Sequence, residues 1–455
     1  MAFLDNSYLL DNEPASDLYA KIGGLPIYDP HTHADVEEIV DNRGWDDIWE
    51  VEAETDHYVW ELMRKRGVNE ELITGSAPNK DKWLALAEVF PDFAGNPTYE
   101  WIHLDLKRRF GIEKTISSET AEYIWNEART RLAEESFKPR QLLKDMNVKV
   151  LCSTDDPTME LEYHERAQEE IDTPKVLPTW RPDKFMKVNQ DSWPDRVDRL
   201  GRETDLDVSS LDGFLNALKA THDYFEEMGC LASDHGLERA ITRPVEETRV
   251  SKIYRKALKG EADLDREEVD DFKSFLLTRF GELNLEKGWV TQLHVGAVRD
   301  YRDSLYKELG GDSGGDVGTQ TVDFTSNLKY FLNRFDGKLD IVLYYIDPSH
   351  LYQVATLTRA FPNVNVGAPW WFNDSPYGIE RQLEYLSTVD LLANYAGMVS
   401  DSRKLMSYGS RIEVFRRSLA NTLGKMVEKG QIPEKLAGDL AKKVVDERKK
   451  ELFGF

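Results

Sequence analysis

His31 and His33 stand one residue apart in YDPHTH, at the end of a short apolar run (PIYDPHTH, residues 26–33). On a β-strand, residues i and i+2 point to the same face. Two imidazoles placed that way can converge on one metal ion at about 2.0–2.1 Å. Alone the pair is weak, because two polar residues opening a loop have the same spacing. Asp401, in GMVSDSR (397–403), is a carboxylate that could join them as ligand or act as a base beside the metal. It reads equally well as the N-cap of a following helix. Arg403 shares its face by the same period of two, provided the strand runs that far.

Other chemistry-bearing residues also close apolar runs. His294 ends QLHVG and His235 ends SDHG. Each is either a further ligand or substrate contact, or a hydrogen-bonded structural histidine. Arg181 in TWRPD offers a planar fork that suits a carboxylate, or else a surface ion pair. Trp370 and Trp371 in APWWFND can wall a small-molecule pocket, or cap the core. His57 and Tyr58, in ETDHYVWELMRKRG, read by spacing as one face of a helix.

These residues need elements to position them. Eight short β-branched runs end in polar residues: 26–33, 148–157, 175–183, 229–236, 289–297, 340–348, 364–372 and 397–403. The spacers between the later runs are long enough for crossover helices, and LDGFLNALKATHDYFEEM is one amphipathic example. Strand alternating with helix implies a parallel sheet. Eight such units predict an α/β fold of the (β/α)8, TIM-like barrel type, with the site at the C-terminal ends of the strands. An open doubly wound sheet is the alternative, but no G-x-G-x-x-G follows any run. Residues 34–147 hold helical patterns and no convincing strand, which predicts a large helical insertion after strand 1. The expected organisation is one metal-dependent domain over 1–455, with closing helices beyond about 404. In a closed barrel strand 8 lies beside strand 1, which would bring Asp401 to His31 and His33. The fourth run has no lysine and the sixth no histidine, which argues against a two-metal centre bridged by a carbamylated lysine.

Composition narrows the partners. The chain has 455 residues and a net charge of −25, from 83 acidic against 58 basic residues. Such a surface repels nucleic acid and anionic membranes, so neither is expected as a partner. An anionic substrate would need local positive charge. No segment approaches the ~20 apolar residues of a membrane span, and MAFLDNSYLLDNEP does not look like a signal peptide. The two cysteines, Cys152 and Cys230, sit in apolar runs and are expected as buried free thiols in a reducing cytoplasm.

Taken together, the motifs resemble the uronate isomerases, a branch of the amidohydrolase superfamily, over almost the whole length. The resemblance rests on DPHTHADVEEIVDNR, EAETDHYVWELMRKRGVNEELITG, NPTYEWIHLDLKRRFGI, CSTDDP, PTWRPDKF, ASDHG, QLHVGAVR, APWWFND and GMVSDSRKLMSY. The chain departs from the family pattern at Pro369, where a small residue is usual, and at Thr32, where a cysteine or similar residue is common. The resemblance implies a distorted (β/α)8 barrel with one divalent metal, usually zinc, and a homo-oligomer. It implies reversible aldose–ketose conversion of D-glucuronate to D-fructuronate and of D-galacturonate to D-tagaturonate. It also implies His31, His33 and Asp401 as ligands, with His57, Tyr58, Arg181, His294, Arg403 and the Trp370–Trp371 pair lining the sugar-acid site. In that chemistry Asp401 serves as base, His57 and Tyr58 move or steady protons on the C1 and C2 oxygens, and Arg403 balances charge. Arg181 and His294 hold the substrate, with His235 as a further contact.

Three rivals remain at this level. A metal-dependent hydrolase on the same barrel would use the metal to activate water. A non-haem iron oxygenase also uses two histidines and one carboxylate. A carbohydrate-binding protein would keep the pocket and lose the chemistry.

The acidic residues are spread along the chain, which fits a salt-rich cytoplasm where screening makes such a surface tolerable, or an ordinary acidic protein. A melting series separates the two: salt adaptation requires the midpoint to rise from low to multimolar KCl, and a flat series rules it out.

Overall fold

Seven of the eight runs form strands in the computed structural model, which describes residues 3–260 and 264–455. They are β1 (Ile27–Asp29), β2 (Val148–Cys152), β3 (Lys175–Leu177), β4 (Ala232–Leu237), β5 (Val290–Val295), β6 (Ile341–Tyr345) and β7 (Val364–Val366). All pair in parallel, in the orders β1-β2-β3 and β4-β5-β6-β7. Every residue of β5 and β6 is buried. Burial on both faces is why β6, IVLYY, reads as a continuous apolar run and not as an alternating one; β5, VTQLHV, also buries Thr291, Gln292 and His294, each hydrogen-bonded. The fold is therefore mixed α/β, built on parallel sheets.

The two sheets meet at Trp180. β3 stops at Leu177 because Pro178 has no N–H to give a ladder. Trp180 then bridges Asp155 on one side and Ser233 on the other. Its N–H donates to Ala232 O (3.3 Å), and its carbonyl accepts from Asp234 N (3.1 Å). Arg181 N donates to Asp155 O at 2.9 Å, which fixes the arginine just above the strand ends.

The eighth run does not form a strand, contrary to expectation. Its start is tied to β7 by Ala396 N donating to Val366 O (2.9 Å). Its end is tied to the chain after β1 by Asp401 N to His31 O (3.3 Å) and His33 N to Ser402 O (3.1 Å). Between these ties, side chains take the places of ladder bonds. Ser400 N donates to the Asp29 carboxylate at 3.1 Å. The buried Lys449 ammonium donates to Tyr28 O at 2.8 Å and also to Met398 O. Asp401 has φ +45°, in the left-handed region, so the extended geometry ends there. The period-of-two argument for Arg403 fails for this reason: residues 401–404 form a turn.

Between β1 and β2 the described elements are all helices. One of them, α1 (His57–Lys65), starts at an N-cap, Asp56, whose carboxylate accepts from Tyr58 N at 2.9 Å. Another spans Pro97–Asp105, with Asn96 as its cap and Pro97 at the first position. Later in the chain, α2 (Arg266–Lys287) opens with a capping box, Asp265 with Glu268. Helix α3 (Ser407–Glu428) packs against Pro97–Asp105 and against the helix Pro376–Val389. Helix α4 (Arg448–Phe453) carries Lys449. Cys152 and Cys230 are buried and unpaired. Among the described residues no helix is long and apolar enough to cross a membrane.

Lys449→Met removes the ammonium's hydrogen bonds to Tyr28 O and Met398 O and the cation that offsets the buried Asp29. We expect a loss of about 1–3 kcal/mol in folding stability, read from the urea midpoint at unchanged slope.

Candidate active site

A cavity of about 560 Å³ opens at the C-terminal ends of the strands. His31 and His33 follow β1 directly, and Thr32 between them is wholly buried. The Thr32 hydroxyl donates to Ser402 O at 2.9 Å, and its N–H to Cys152 O at 2.9 Å. One residue thus pins the histidine pair to β2 on one side and to the 401–404 turn on the other.

That turn delivers Asp401. His31 Nε2 lies 2.9 Å and His33 Nε2 3.3 Å from Asp401 Oδ1. Donor atoms held at about 2.1 Å around one ion, at tetrahedral to octahedral angles, are roughly 3.0–3.4 Å apart. The two separations to Asp401 are close to that spacing, and donor atoms of all three residues lie within 4.8 Å of one another. Burial alone would raise the Asp401 carboxyl, but the hydrogen bonds from both imidazoles hold it well below the usual carboxylate range. Two nitrogen donors and one ionised oxygen fit a borderline divalent ion.

Asp234 was not foreseen. It is fully buried on β4 and faces the histidines. Its Oδ1 accepts from His294 Nδ1 at 2.6 Å, and its Oδ2 lies 3.2 Å from Arg181 Nη1 and 3.8 Å from His31 Nδ1. Burial opposes its charge, yet Arg181, His294 and His31 hold the carboxyl well below its usual range. His31, Asp234 and His294 form a second donor set within reach of one ion. Arg181 already neutralises Asp234, so the His31–His33–Asp401 set is the stronger pole for a cation. Asp234 then stands behind His31 as a buried negative charge, 3.8 Å from Nδ1 and so acting through its field and not through a hydrogen bond.

The same alternation that turns Asp234 inward turns His235 away. His235 is fully buried, bonded to Ser233 Oγ at 2.8 Å and stacked on Phe280 at 5.7 Å. It does not reach the cavity, so its expected substrate contact is withdrawn.

The opposite wall comes from the helical segment. His57 and Tyr58 open α1, their rings 5.2 Å apart, with His57 also 5.2 Å from Trp371. Burial pushes the His57 imidazole down to about 4, so it is neutral at pH 7. The Tyr58 hydroxyl donates to Asp374 Oδ2 at 2.9 Å, and Arg411 Nη1 donates to the same oxygen at 2.9 Å. Burial lifts the Asp374 carboxyl to about 6, against the pull of Arg411. Trp370 packs edge-on to His294 at 4.9 Å, and Arg299 lies over Trp371 at 4.8 Å. Arg403 reaches Asp312 at 3.2 Å, and Arg299 bonds the same carboxylate oxygen. Below the turn, Lys404 Nζ lies 2.7 Å from Asp56 Oδ2 and 2.7 Å from Glu52 O. Every anticipated residue except His235 therefore borders one cavity. Arg299 and Arg411 join them in the lining without having been singled out, and Asp234 and Asp374 stand behind it, bonded to His294 and Arg181 and to Tyr58 and Arg411.

Comparison with known proteins points one way. A family model described as glucuronate isomerase matches residues 1–453. The uronate isomerase of Thermotoga maritima is 56% identical over 451 residues, covering 99% of each chain. Its crystal structure superposes with a TM-score of 0.98 over 100% of both chains. The glucuronate isomerase of Caulobacter crescentus is 25% identical, with a TM-score of 0.95 over 99% of this chain and 97% of that one. A putative metal-dependent hydrolase of Lactobacillus casei, 13% identical, shares the fold at a TM-score of 0.56 over 96% and 97% of the chains.

Asp234→Asn keeps the shape behind His31 and removes the charge. We expect divalent-metal affinity to fall about 10–100-fold, measured by competition with a chromogenic chelator; unchanged affinity would show that the buried charge behind His31 does not support the site.

Proposed function

The chain belongs to the glucuronate isomerase family, and from that premise we propose that it interconverts D-glucuronate with D-fructuronate and D-galacturonate with D-tagaturonate. The observation that carries the reading is the juxtaposition in one arginine-lined cavity of the His31–His33–Asp401 pole and the His57–Tyr58 pair. Aldose–ketose isomerisation moves a proton from C2 to C1 and needs positive charge beside the oxygens that become enediolate.

We read the parallel sheets as a closed (β/α)8 barrel in one domain spanning 1–455, with 34–147 inserted after β1. The Trp180 bridges support closure on one side, and the ties of 396–402 to β7 and to the chain after β1 support it on the other. His31, His33 and Asp401 would hold the metal, and zinc suits two imidazoles and a carboxylate. When bound, that ion supplies positive charge at the sugar oxygens. The chain's own groups do the rest. Asp401, kept ionised, takes the C2 proton and returns it to C1. Arg403 offsets the charge that develops. His57, neutral, can donate or accept at a sugar oxygen without a change in net charge. Arg181 and His294 orient the sugar acid, and Trp370 and Trp371 wall it from water. The buried free thiols favour a reducing cytoplasm as the place of work.

Purified protein should form ketose from one or both uronates, lose that activity to a chelator and regain it on adding back a divalent metal. No turnover of either sugar with metal restored would overturn the proposal. Asp401→Asn should cut solvent exchange of the C2 proton by about 10²–10⁴-fold; exchange at the wild-type rate would remove Asp401 as the base.

A further inference from the structure

Tyr58 comes from α1, Asp374 from the turn after β7, and Arg411 from α3. Three segments far apart in sequence converge on one carboxylate oxygen. Asp374 and Arg411 are about 5% and 4% exposed, and no assignment above gives either of them a task.

The donor directions are fixed by chemistry. A guanidinium has only donors, so Arg411 must give to Asp374. An ionised carboxylate has only acceptors, so the Tyr58 hydroxyl must also give its hydrogen to Asp374. With that hydrogen committed, Tyr58 meets the cavity with oxygen lone pairs and can only accept from a ligand there. The phenol is also held in angle. Arg411 lies 5.1 Å from its ring centroid and 4.2 Å from that of Trp101, and Trp101 packs edge-on to Tyr58 at 5.7 Å. The other charged group facing both Tyr58 and Asp374 is Asp401, on the far side of the cavity.

We propose that Asp374, clamped by Arg411, is the positioning residue behind the proton-moving Tyr58: it fixes the direction of the phenol's hydrogen and takes that hydrogen up when Tyr58 receives the hydroxyl proton of the sugar. This rests on the isomerase reading and deepens it. As the ketose forms, the O2–H bond breaks and its proton goes to the Tyr58 oxygen, while the Tyr58 proton passes to Asp374 Oδ2. The return trip delivers a proton through Tyr58 to O1. The C2-to-C1 proton travels separately through Asp401, so each group ends the cycle as it began and no further reactant is needed. Burial makes the intermediate state accessible, because it lifts the Asp374 carboxyl to about 6, close to working pH.

A buried ion pair serving only as a clasp is the alternative, and a double-mutant cycle separates the two. Asp374→Asn preserves shape and a hydrogen-bond acceptor for Tyr58 but cannot carry the proton. In the wild-type background we expect kcat to fall by about 10²-fold with KM changed by less than about threefold. In a Tyr58→Phe background the same change should alter kcat by less than about threefold. Arg411→Gln, which frees Asp374 from its clamp, should show the same dependence on Tyr58 and stands in if Asp374→Asn fails to fold. Equal losses in both backgrounds would overturn the relay while leaving the isomerase reading intact. Absence of turnover by the wild-type enzyme would instead overturn the reading itself.

Discussion

The site depends on one short contact across a seam the backbone does not fully knit. Asp401 meets His31 and His33 where the eighth run should have completed a ladder and instead turns through a left-handed residue. Had residues 397–403 stayed extended, Asp401 would follow the pleat and its carboxylate would be fixed by register. The turn frees it from register and gives the job to side chains. Thr32 holds the turn's carbonyl, Ser400 holds Asp29, and Lys449 fills the gap with an ammonium. The seam is a joint held by polar side chains where the other strands are joined by backbone ladders.

Charge is handled locally in a protein that is acidic overall. The arginines and Lys404 at the cavity are paired with acids: Arg181 has Asp234 and Asp183, Arg403 and Arg299 share Asp312, Arg411 has Asp374, and Lys404 has Asp56. Buried cations without such partners would be costly. The pairing also fixes where donors point, which a mobile surface lysine could not do.

Much of this was legible in the sequence because strand ends advertise themselves. Apolar runs that stop at His, Asp or Arg mark the C-terminal edge of parallel strands, and seven such runs became strands. The histidine pair, Arg181, His294 and the tryptophans were found by that signal alone. What failed was orientation. In ASDHG the histidine drew attention, but alternation turns Asp234 toward the site and His235 toward Phe280. Tracking the face of Ser233 and His235 against Asp234 was the signal available. Asp374 was passed over inside a tryptophan motif, and Arg411 lies near the start of α3, where an arginine looks like any solvated one. Their role appears only when α1, α3 and the turn after β7 meet. The turn at 401–404 was hidden for a similar reason, since nothing in GMVSDSR forbids a strand. The chain leading into it is anchored through Met398 O by Lys449, about fifty residues further on.

Lys404 carries one more consequence. Its ammonium, carried by the last residue of the metal-site turn, is fastened to Asp56 and to the backbone of Glu52, both inside the helical segment. That segment also contributes His57 and Tyr58, and its Pro97–Asp105 helix lies against α3. If it came loose, the sheets would keep a buried cation with nothing to neutralise it. The segment and the sheets therefore melt together: partial opening is suppressed, and amide protection in the segment should match that of the strands, not that of a peripheral module.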